Sequence, residues 1–135
     1  MTTAPTAPPA TTARDPLFSS LTGLIAVVVL LQFVFAGLFL RYDDREAGGY
    51  LDAHAWGAHI GTVLAVIAAA YAVARLRARK DLLIGSIALA VLFLVESYIG
   101  GAIRDDGKDG WTAVHVPVAF ALTALVVWLP LRARK

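Results

Sequence analysis

The sequence predicts an all-α integral membrane protein, a four-helix bundle made of two similar helical hairpins with both termini on the cytoplasmic side. Three observations lead there. Hydrophobic side chains make up 59% of the 135 residues and charged ones only 16%, against a charged share of about 25% in ordinary soluble domains. Four apolar segments, about 19–40, 51–74, 82–103 and 111–131, each approach or exceed the roughly 20 residues a helix needs to cross a bilayer. A polar pattern also occurs twice. Gln32 and Gly37 lead through Arg41, Asp43 and Asp44 to His54, while Glu96 and Gly101 lead through Arg104, Asp105 and Asp106 to His115.

Taken in order, residues 1–16 form a Thr, Ala and Pro-rich tract with too few apolar side chains to pack, expected as a disordered cytoplasmic tail ahead of a membrane domain over 17–135. The tract lacks the basic start of a secretory signal, so the first apolar run is expected to remain as an uncleaved helix. Asp15-Pro16 marks its start, because proline at a first helical position forfeits no intrahelical bond. Gly48-Gly49 punctuates the turn to the second helix. Within that helix Gly57-Ala-His-Ile-Gly61 is a small-xxx-small motif suited to close helix approach. The connection Arg75-Leu-Arg-Ala-Arg-Lys80 is a short basic turn among anionic headgroups, forcing the second and third helices antiparallel. Gly107 to Gly110 form the last turn. Pro117 is expected to pin the point at which the fourth helix becomes regular, and Pro130 marks its exit.

The distribution of Lys and Arg fixes the orientation. Eight lie at the termini and in the second connection, against four in the first and third connections: Arg41, Arg45, Arg104 and Lys108. Basic loops stay inside, so both histidine-bearing helix starts face outward in what is expected to be a bacterial plasma membrane. The basic excess, a net charge of +2, follows from this topology, and nucleic acid is not an expected partner. The expected surroundings are the lipid bilayer and a membrane protein partner or further copies of the chain. Without cysteine, disulfides, thiolate ligands and iron–sulfur clusters are excluded. No nucleophile triad, phosphate loop or paired catalytic carboxylate pattern supports an enzymatic activity.

Ionisable groups inside a bilayer are costly, which makes each a functional-site hypothesis. At about 1.5 Å per residue, His54 and His115 are expected roughly 5 to 6 Å below the outer helix ends. Gln32, His59 and Glu96 fall about 10 to 13 Å below them, as a second polar layer in which His59 and Glu96 share a proton or simply bond. His54 and His59 are about 140° apart on one helix, too divergent for one small metal ion. A porphyrin takes axial ligands from opposite sides, and helices two and four are diagonal in a bundle arranged as a square. His54 and His115 can therefore bracket haem iron. Gly61 and Ala119 would leave room for the macrocycle, and Arg41, Arg45, Arg104 and Lys108 would meet its carboxylates. The plainer alternative is that histidines near an interface bond to backbone, water or headgroups.

The stretches Gln32-Phe-Val-Phe-Ala-Gly37 and Tyr50-Leu-Asp-Ala-His54 resemble the opening signature of the domain of unknown function 6220 family, over a region from about Leu24 to the end. That resemblance implies a small bacterial four-helix membrane protein and no activity. Glu96, Gly100, Gly101 and His115-Val-Pro-Val-Ala119, with Gln32, Gly37 and His54 as counterpart, also resemble one four-helix half of haem A synthase. It implies that His54 and His115 match axial histidine positions of b-type haem. The chain has only one four-helix unit and no cysteine pair, departures that argue against haem A synthase activity. Three function classes follow: a haem protein in electron transfer or haem handling, a cofactor-free membrane subunit or scaffold, and a proton-linked transporter component using His59 and Glu96.

Overall fold

The computed structural model describes residues 14–42 and 44–135, with backbone alone over 44–47. Most of the expected N-terminal tail, residues 1–13, lies outside the described residues, as does Asp43. Four helices follow: α1 (Pro16–Arg41), α2 (Asp44–Arg75), α3 (Lys80–Asp106) and α4 (Thr112–Ala133), the last preceded by a 3-10 turn at Asp109–Trp111. All four are long and apolar enough to cross a membrane. The protein is thus an all-α, multi-pass membrane bundle.

Helix starts and stops have local causes. Asp15 caps α1 by accepting from the Phe18 amide at 2.8 Å, and Pro16 occupies the first turn, where its missing donor costs nothing. The other Asp15 oxygen accepts from the Tyr71 hydroxyl at 2.9 Å, fastening the start of α1 to α2. Gly107 ends α3 in the left-handed conformation, φ 65°, which glycine adopts without a Cβ clash. The amides of Gly107 and Lys108 both turn back to the Ala102 carbonyl.

Two boundaries differ from those expected. Helix α2 begins at Asp44 and runs through Gly48-Gly49, because glycine costs a helix only about 1 kcal/mol, too little to end one flanked by helix-forming residues. Helix α4 is regular from Thr112, five residues before Pro117. Proline conflicts with the carbonyl four residues earlier, here that of Ala113, in the first turn and exposed.

Helix α1 packs on α2 and α4, and α3 packs on the same two. This is a square in which α2 and α4 lie across a diagonal. The tightest packing is at the end that carries the termini, where Phe18, Ile25, Ala68, Ala72, Leu82, Leu89, Val126 and Leu129 are fully enclosed. Asp81 joins Arg79 at 3.2 Å and Arg132 at 2.6 Å there. The outer faces are apolar and exposed, with Leu30, Ile84, Phe120 and Leu131 among the side chains. In water such surface would drive aggregation; against lipid it carries no such penalty.

The opposite half, which carries both histidines, is looser. Its inward positions hold Ala36, Ala55, Ala58, Gly100, Gly101 and Ala119, and these small residues leave a cavity of about 430 Å³. The chain therefore packs one half as core and leaves the other half open as a site.

Candidate functional site

Three histidines line this cavity, and two of them face each other across it. His54 comes from α2 and His115 from α4, with ring centroids 6.5 Å apart and planes inclined at 71°. Each is held from behind by an adjacent helix. His54 Nδ1 lies 3.1 Å from the backbone oxygen of Gln32 on α1. A carbonyl only accepts, so Nδ1 bears the proton and Nε2 keeps its lone pair. Phe39 closes on the same ring edge-on, with centroids 5.7 Å apart. His115 Nδ1 lies 2.5 Å from Glu96 Oε2 on α3, close enough for a strong attraction although its angle departs from that of a well-formed hydrogen bond.

Glu96 is buried, and its Oε1 has no partner. The side-chain oxygen and nitrogen of Gln32 are likewise enclosed without partners. That amide fits against α2 only because residue 57 is glycine: a Cβ there would stand 1.8 Å from Gln32 Nε2. Unsatisfied buried polar atoms cost about 1 to 3 kcal/mol each. Their gathering beside a cavity is the arrangement that a polar or coordinating guest relieves.

The cavity wall is otherwise mostly apolar, with Phe33 and Phe120 on the α1–α4 side and Phe93 from α3. Thr62 and Ser97 join α2 to α3 at 3.0 Å. At the mouth, Arg104 reaches Asp52 across the α2–α3 boundary at 2.8 Å and stands 3.6 Å from Asp105. Both charges of the Arg104–Asp105 pair border the cavity. Lys108 turns instead to Asp106 at 3.1 Å, whose carboxylate holds the ammonium pKa above the usual lysine range. Arg41 lies over the Tyr42 ring, 5.7 Å from its centroid. Of the four mouth cations expected to meet a cofactor, Arg104 alone lines the cavity among the described side chains; Arg45 lies outside them. Ala119 lines the cavity as expected, whereas Gly61 is filled by Phe93, whose Cε1 would stand 2.3 Å from an added Cβ.

The expected His59–Glu96 pair is not formed. His59 is exposed, edge-on to Trp56 with centroids 6.0 Å apart. Its 140° offset from His54 turns it to the rim of the cavity, while Glu96 points inward to His115. The two expected polar depths also merge into one. Measured from helix ends at about 1.5 Å per residue, Gln32 and His54 are both roughly 14 to 15 Å down, because α2 starts earlier than Leu51. Glu96 is about 15 Å down, and the 3-10 turn, rising about 2.0 Å per residue, brings His115 to about 10 Å. Their side chains span the remainder.

Among the described residues, no group of three His, Cys, Asp or Glu side chains could hold a metal ion. His54, His59, His115 and Glu96 line the cavity, and of these His54 and His115 stand face to face across it. Phe39 and Asp52 were not expected at the site. Asp52 had a signal, an acidic residue two positions before His54, but its partner Arg104 is on another hairpin. No family model, curated protein or solved structure matches this chain.

Proposed function

We propose that this is a small bacterial plasma-membrane protein in which His54 on α2 and His115 on α4 would hold b-type haem, for electron transfer or haem handling. One observation carries the reading: imidazoles on diagonal helices face one cavity, with His54 Nδ1 bonded to the Gln32 carbonyl and His115 Nδ1 beside the Glu96 carboxyl group. Metal-bound histidine nearly always has its second nitrogen held this way, by a carbonyl or carboxylate. The two rings lie with centroids 6.5 Å apart.

In this reading His54 and His115 would hold the cofactor, and the buried Phe93 keeps water from one side of it. Arg104 is the cation within reach of a cofactor carboxylate. Bound haem would supply one-electron iron chemistry. The resemblance to a half of haem A synthase points to the same two histidines.

The same contacts support a second reading. Gln32–His54 ties α1 to α2 and Glu96–His115 ties α3 to α4, which is what a cofactor-free membrane subunit or scaffold would need. The proton-linked reading loses its premise with the His59–Glu96 pair.

Titration of the purified protein with haem separates the first two readings. Wild type is expected to give a stoichiometric, low-spin six-coordinate spectrum. His54→Ala and His115→Ala should each lose the six-coordinate form, and His59→Ala should keep it. No uptake by wild type, or control of the spectrum by His59 alone, would leave the cofactor-free bundle as the better reading.

A further inference from the structure

The four helix boundaries around the cavity are not alike. In the histidine-bearing half, His54 meets the Gln32 carbonyl across α1–α2 at 3.1 Å. Across α2–α3, Thr62 meets Ser97 at 3.0 Å and Arg104 meets Asp52 at 2.8 Å. Across α3–α4, Glu96 stands 2.5 Å from His115. Among the described side chains, no polar contact joins α1 to α4 in this half. Those two helices make theirs at the opposite end, where Ser19 donates to the Pro130 carbonyl and Arg134 to the Ser19 hydroxyl, both at 3.3 Å. They are also the one neighbouring pair that no connection joins.

What closes this seam is apolar and thin. Phe33 of α1 and Phe120 of α4 meet across it with ring centroids 6.4 Å apart. Phe33, Phe120 and Val116 line the cavity, yet they are 43%, 64% and 46% exposed on the outer surface, so the wall here is one side chain thick. Phe33 lies eight residues before the end of α1 and Phe120 eight after the start of α4, about 12 Å along each helix. That depth is inside a hydrocarbon core about 30 Å thick. Parting any other boundary in this half separates polar groups inside the membrane. Parting this one exchanges side-chain contacts for contacts with lipid tails, which are equally apolar.

We infer that the cavity takes its guest from the bilayer, through the seam between α1 and α4 in the histidine-bearing leaflet, rather than from water at the helix ends. The class of guest is a largely apolar molecule dissolved in the membrane. That it is haem rests on the reading above; the route does not, because it follows from the seam alone. Phe33 and Phe120 are the side chains that must part, and the contacts of Ser19 hold the two helices together at the other end while they do.

The test uses the full chain in lipid vesicles, where the absence of native cysteine makes every introduced thiol unique. The first arm needs no haem. Ala119→Cys, inside the cavity, is expected to react faster with a long-chain N-alkyl maleimide dissolved in the bilayer than with a sulfonated maleimide supplied in water on both sides. Gly110→Cys, exposed in the turn before α4, should show the reverse order. Faster labelling of Ala119→Cys by the sulfonated reagent would overturn the inference. The second arm follows haem uptake from haem-loaded vesicles by Phe33→Cys/Phe120→Cys bridged with a short, reducible thiol cross-linker. Bridging should abolish most of the uptake and cleavage with reductant should restore it, so that each sample is its own folding control. Ser19→Cys/Arg134→Cys, bridging the same helices at the packed end, should take up haem equally well bridged or cleaved. Uptake unchanged by the Phe33–Phe120 bridge would overturn the route and leave haem binding intact. No uptake by wild type would overturn the haem reading alone, and the labelling of Ala119→Cys would still decide the route.

Discussion

Replacing Gly61 by alanine tests the helix packing on which the cavity depends. An added Cβ would stand 2.3 Å from Cε1 and 2.8 Å from Cζ of Phe93. Carbon atoms prefer separations of about 3.5 to 4.0 Å, so the ring or its helix must retreat by roughly 1.2 to 1.7 Å. Phe93 is 4% exposed and part of the packed cluster, so it has little free space except into the cavity that it lines. Overpacking of this kind costs about 1 to 3 kcal/mol, a factor of about 5 to 150 in the folded population. Alanine also gains roughly 0.8 to 1.0 kcal/mol of helix propensity over glycine, which would mask part of the loss. Gly37→Ala supplies the control, since nothing lies within 4 Å of its added Cβ. Reversible unfolding by added SDS in mixed micelles should place Gly61→Ala below Gly37→Ala by about 1 to 3 kcal/mol. Equal stability of the two variants would refute the packing of Gly61 on Phe93, and with it the separation of a packed half from an open one.

Glu96→Leu, assayed by the same SDS unfolding, should cost about 1 to 3 kcal/mol by removing the carboxyl group beside His115 Nδ1, while Glu96→Gln should cost less because an amide can still bond. Stability unchanged in Glu96→Leu would show that the contact with His115 contributes nothing to the fold. A reporter fused after Lys135 should be cytoplasmic and one inserted near Gly48 external, following the excess of basic residues at the termini and in the α2–α3 turn; an external C-terminus would reverse the orientation and put the histidines on the inner side.

What the sequence determined by itself is what local chemistry decides. Length and apolar composition specify four spanning helices, since a backbone in lipid must satisfy its own hydrogen bonds. Short connections specify antiparallel neighbours, and this order puts α2 and α4 on a diagonal. The Asp15-Pro16 start and the glycine stop at 107 were legible for the same reason. Partnerships between helices were not. Whether Glu96 meets His59 or His115 depends on helix rotation and axial offset, which packing across the bundle sets and no single segment encodes. Two modest local departures changed that register: α2 continuing through Gly48-Gly49, and a 3-10 turn lowering the start of α4. The cavity, too, is a tertiary product. Alanine and glycine are unremarkable in a membrane helix until four helices turn Ala36, Ala58, Gly100 and Ala119 toward one another, and the space left between them is the site.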